Sequence, residues 1–76
     1  MITSNISERL GLYMETSGMS QKQLSKLSGV SDSVICRVLK SEQSMSVCNI
    51  VKIANATRVS PNWLLGFGSD DEIEYI

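Results

Sequence analysis

An all-α domain of five short helices, followed by a brief acidic tail, is the fold class these 76 residues predict. Three observations carry that expectation. Apolar residues recur at helical rather than alternating spacing, as in Ile6, Leu10, Tyr13 and Met14. Serines suited to N-capping, at 20, 31, 46 and 60, open each of the later apolar runs. Glycine stands at two of the stops, Gly18 and Gly29, where a left-handed backbone brings no Cβ penalty.

The elements follow in order. The spacing predicts a first helix over about Ile6–Thr16, with Asn5 as cap and Glu8 three residues on. Ser20-Gln21-Lys22-Gln23 is a capping-box pattern, and it opens a second helix to about Ser28 with Leu24 and Leu27 facing inward. Ser31 caps a third helix from Asp32 to about Lys40, whose inward positions are Ile35, Val38 and Leu39. The polar stretch Ser41-Glu42-Gln43-Ser44 leads through Met45 to Ser46. That serine caps a fourth helix to about Thr57, carrying Ile50, Ile53 and Ala54. Ser60-Pro61 places proline at a first helical position and opens a short fifth helix to Leu65, with Trp63 and Leu64. Residues 1–68 read as one domain. Residues 69–76 read as an acidic tail that is either disordered or a strand, over Ile73–Ile76, for pairing with a partner chain.

Composition narrows the function classes. A hydrophobic content of 42% suits a packed core. No run approaches the roughly 18 apolar residues of a membrane span, and the N-terminus lacks a signal-peptide pattern, so a cytoplasmic, non-membrane protein is expected. With no histidine, and with Cys36 and Cys48 far from metal spacing, no metal site is expected. Both cysteines read as small, partly buried hydrophobes. Nothing resembles a nucleophile elbow or a phosphate-binding glycine loop, so neither an enzyme nor a bound cofactor is expected. The net charge of −1 hides an uneven distribution: −1 over residues 1–21, +4 over 22–58 and −4 over 59–76. A basic middle can present a positive face although the whole chain is slightly acidic.

The informative segment is Gln21–Leu39. Two short helices flank a tight turn opened by Gly29, with Leu24, Val30, Ile35 and Val38 as apolar anchors and the small Ser25 at the crossing. This is the sequence form of a helix-turn-helix, in which the second helix stands proud enough to enter a major groove.

Ser20-Gln21-Lys22-Gln23-Leu24-Ser25-Lys26-Leu27-Ser28-Gly29-Val30-Ser31-Asp32-Ser33-Val34-Ile35-Cys36-Arg37-Val38-Leu39 resembles the helix-turn-helix of the Xre family, which includes lambda-type phage repressors and Cro proteins. Ile53-Ala54, followed by Arg58-Val59-Ser60-Pro61-Asn62-Trp63-Leu64-Leu65, resembles that family's closing signature. The resemblance spans about residues 6–67. Ser25 replaces the usual alanine, which keeps the crossing small. Thr57 replaces the usual leucine, which should weaken the core somewhat. The loop before the fourth helix lacks the basic residues many relatives carry.

The resemblance implies a five-helix lambda-repressor-like domain acting as a phage or mobile-element transcription regulator of the Cro/C1 type. Its partner would be a two-fold, double-stranded DNA operator, bound by a homodimer with helix 32–40 in the major groove. By position, Asp32, Ser33, Val34 and Arg37 would read bases. Arg37 would pair with guanine, Val34, exposed and without a core role, would meet a thymine methyl, and Ser33 would serve a base or a phosphate. Asp32 would either accept from cytosine or complement the helix dipole. Gln21, Lys22, Lys26, Ser31 and Lys40 would contact phosphates, although Gln21 could instead buttress the recognition helix, each lysine equally suits a solvated surface and Ser31 is a cap first. The rival reading is a protein-interaction module or antitoxin of the same fold, gripping a partner protein through its tail.

Overall fold

The computed structural model describes residues 2–67 and 72–76, with only the backbone of residues 2–5. Gly68, the end of the expected domain, and Ser69–Asp71, the start of the expected tail, lie outside the described residues. Five helices follow in order: α1 Ile2–Ser17, α2 Gln21–Ser28, α3 Asp32–Leu39, α4 Val47–Thr57 and α5 Pro61–Leu64. α1 packs on α3 and α5, α2 packs on α3 and α4, and α4 packs on α5. The architecture is the expected all-α one, and no strand longer than an isolated bridge occurs among the described residues.

Local chemistry sets most boundaries. Ser20 Oγ accepts from Gln23 N at 3.1 Å while Gln23 Oε1 accepts from Ser20 N at 2.9 Å, so the capping box is complete. Ser31 and Ser46 cap α3 and α4 by accepting from the backbone N–H three residues on. Ser60 makes no such side-chain bond, and Pro61 alone marks that start. α1 begins four residues earlier than its periodicity suggests, so Asn5 lies inside the helix and not at its cap.

The core is built from Leu10, Leu24, Ile35, Val38, Ile53, Val59, Trp63 and Leu64, all essentially inaccessible to solvent. Burying each such side chain stabilises the fold by roughly 1.5–3 kcal/mol. Leu27 departs from expectation: it is 56% exposed, because the eight-residue α2 turns only a narrow stripe, centred on Leu24, toward its neighbours. Cys48 is exposed too, two positions into α4, whereas Cys36 is partly buried as expected. Arg9 is the reverse case, a cation that is 7% exposed. Its Nη1 donates to the carbonyls of Trp63 and Phe67, both at 2.9 Å, and its guanidinium lies 5.1 Å from the Trp63 ring centroid. The end of α5 supplies the acceptors that a buried guanidinium requires.

Residues 72–76 return to the body. Ser60 N donates to Glu74 O at 2.7 Å and Ile76 N donates to Arg58 O at 2.8 Å, making an antiparallel bridge between Val59 and Tyr75. Ile73 packs against the core. Over residues 72–76 the segment thus pairs with the Arg58–Ser60 stretch of its own chain.

Candidate nucleic-acid interface

The turn between α2 and α3 is held by serine hydroxyls. Ser25 Oγ donates to Val30 O at 2.6 Å, across the turn. Ser28 Oγ donates to Leu24 O at 2.7 Å and accepts from Val30 N at 3.2 Å. Gly29 between them has φ 81°, a left-handed conformation that a side chain would strain. Ser25 is therefore more than a small residue at a crossing: it donates to a carbonyl that alanine would leave without this partner. On the far side of the turn, Val30 is buried and fixes the entry to α3.

α3 is anchored along one side by Ile35 and Val38, both fully buried. Its last carbonyls are engaged as well: Ser7 Oγ of α1 donates to Leu39 O at 2.8 Å. Beyond Lys40 the chain closes in a Schellman arrangement. Ser41, at φ 61°, donates to Val38 O at 3.0 Å, and Glu42 N donates to Arg37 O at 2.8 Å. A recognition helix needs such anchoring on its inner side and at its end, because the outer side must meet a ligand without shifting.

The outer side lines an open groove of about 370 Å³ formed by Gln21, Asp32, Ser33, Cys36, Arg37, Lys40 and Glu42. Positions 32, 33, 36, 37 and 40 form one helical row, and Gln21 at the start of α2 flanks it. Five residues singled out in the sequence thus come together: Asp32, Ser33 and Arg37 from the base-reading set, and Gln21 and Lys40 from the phosphate set. Arg37 and Lys40 face Asp32 and Glu42, so the ionised groups of the lining balance in charge.

Four other predicted residues lie elsewhere. Val34 is half-buried and packs against the core, since it sits four residues before Val38 on the flank of the buried stripe. It is not the exposed apolar residue without a core role that the sequence suggests. Ser31 is exposed, and its hydroxyl accepts from Val34 N at 3.2 Å as the cap of α3. Lys26 lies with Ser17, Gly18, Met19, Gln23 and Leu27 in a separate depression over the α1–α2 turn. Lys22 is solvent-exposed. Two groove residues were missed by the sequence reading. Cys36 was legible, standing three positions after Ser33 and four after Asp32. Glu42 was not, because its place depends on the turn at Ser41.

Comparison with known proteins agrees with this geometry. A family model described as helix-turn-helix matches residues 10–64. A solved structure, the restriction-modification controller protein C.AhdI from Aeromonas hydrophila, is similar in fold with a TM-score of 0.75 and 31% sequence identity. The similarity covers 82% of this chain and 94% of that one. No curated protein matches the chain. The two-helix unit, the anchored α3 and these matches together place the chain in the helix-turn-helix family, as a DNA-binding transcription regulator of the Cro/C1 type.

Proposed function

We propose that this regulator binds a two-fold operator as a homodimer, each protomer inserting α3 into the major groove of one half-site. The observation that carries the reading is the exposed row Asp32, Ser33 and Arg37 on a helix whose opposite side is locked into the core by Ile35 and Val38. A helix of this diameter fits a B-form major groove, and half-sites one helical turn apart, about 34 Å, require two copies. Arg37 pairs with guanine O6 and N7, Ser33 serves a base or phosphate, and Asp32 accepts from cytosine or complements the dipole of α3. The exposed part of Val34 meets a thymine methyl. Gln21, Lys22, Ser31 and Lys40 hold the phosphates. Lys26 belongs to that set only where the DNA backbone extends past the α1–α2 turn.

The dimer surface is assigned to Val47 and Val51, exposed one turn apart on α4, with Leu65 and Phe67 beyond α5. The solved neighbour is itself a controller protein, which supports a regulator of gene expression over a catalyst. A cytoplasmic, phage or mobile-element repressor is the form this reading takes.

Selection of bound sites from random DNA tests it. The wild type should enrich a two-fold sequence, and Arg37→Ala should lose about 10–100-fold in operator affinity while keeping weak, salt-sensitive binding to any DNA. A wild type that prefers no sequence over competitor at low salt would overturn the proposal in favour of a protein-binding module.

A further inference from the structure

We infer that Glu42 is a further specificity-determining residue of the α3 groove, accepting from a cytosine amino group and penalising DNA that offers no donor there. The inference rests on the reading of α3 as a major-groove helix. Glu42 stands outside the helix, yet it lines the same groove as Arg37 and Lys40. Its backbone is held there by its N–H bond to Arg37 O at 2.8 Å, itself made possible by the left-handed Ser41. Its side chain is exposed, and among the described residues no hydrogen bond or ion pair engages the carboxylate.

An ionised carboxylate only accepts hydrogen bonds. Phosphate oxygens, guanine N7 and O6, and thymine O4 are also acceptors, so each repels it. The major groove offers two donors, cytosine N4 and adenine N6. The adenine amino group lies beside the acceptor N7, an edge suited to an amide that both donates and accepts, whereas cytosine N4 suits a carboxylate. The balanced charge of the lining gives this weight. With Asp32 and Glu42 offsetting Arg37 and Lys40, the lining adds no net positive charge beyond its individual phosphate contacts, and discrimination depends on matched bases.

The test uses the full chain and the operator selected by the wild type. Titrations of that operator and of competitor DNA are compared for wild type, Glu42→Gln, Glu42→Ala and Arg37→Ala, with circular dichroism to verify folding. Glu42→Gln should bind competitor several-fold more tightly, lower the operator-to-competitor ratio about tenfold, and accept other bases at one cytosine position in repeated selection. Glu42→Ala should relax the same position. If both variants select the wild-type sequence unchanged, or gain equally on operator and competitor, the inference fails while the α3 reading stands. If the wild type selects no sequence, both fail. Loss of one base preference in Arg37→Ala and of a different one in the Glu42 variants supports separate roles for the two residues.

Discussion

Two turns in this molecule are built to one plan and put to different uses. After α2, Ser28 donates to the carbonyl four residues back and accepts from Val30 N. After α4, Thr57 Oγ1 does the same, donating to Ile53 O at 2.8 Å and accepting from Val59 N at 3.3 Å. In each case a left-handed residue follows, Gly29 or Arg58, whose own N–H closes the helix onto Ser25 O or Ala54 O. A buried valine comes next. The first turn is bare and leads to the exposed row of α3. The second is covered: Arg58 O and Ser60 N receive the terminal segment through Ile76 and Glu74. The hydroxyl supplies the same local satisfaction in both places. What differs is how deeply it is buried and what lies on the outside.

That difference can be measured. Thr57 is buried, so Thr57→Val strands the N–H of Val59 in the interior and should cost about 2 kcal/mol in urea denaturation. Ser28→Ala, half-buried, should cost about 1 kcal/mol because water can replace the hydroxyl. Equal costs would break the distinction between a covered and an open turn. Gly29→Ala should destabilise by about 1 kcal/mol from backbone strain alone, since an added Cβ meets nothing within 4 Å. Arg58→Gly should act with the opposite sign and raise stability by about 0.5 kcal/mol, the relieved strain slightly exceeding the added unfolded-state freedom. Removal of residues 72–76 should lower the melting temperature by about 4–8 °C, equivalent to about 1 kcal/mol, measured by thermal scanning. No change would mean the bridge adds nothing to the second turn.

Thr57 also shows where sequence reasoning stopped. In place of an expected leucine it reads as a weakening of the core, whereas its hydroxyl satisfies two buried backbone groups. Helices α2 to α5 were legible because capping is local: Ser20, Gln23, Ser31, Ser46 and Pro61 act on neighbours within four residues. The buried anchors Leu24, Ile35, Val38 and Trp63 were legible from spacing and from the family resemblance. Arg9 was not, since a cation in a helix normally faces water, and its carbonyl partners lie 54 and 58 residues away. Leu27 and Val34 were misjudged for one reason: helical spacing tells which residues share a side, but the width of the buried stripe is decided by the neighbouring helices. In the groove, Arg37 and its row could be placed from helical phase, whereas Glu42 could not, because a left-handed serine is invisible in local patterning.

The two attachments of α1 have a further consequence. Ser7 grips the end of α3 and Arg9 grips the end of α5, so one helix ties down both the exposed second rod of the helix-turn-helix and the short α5. The two-helix motif is therefore not a transplantable cassette. Cut away from residues 2–17, it would lose the brace that fixes its aim, and new operator preferences have to be engineered in the intact domain.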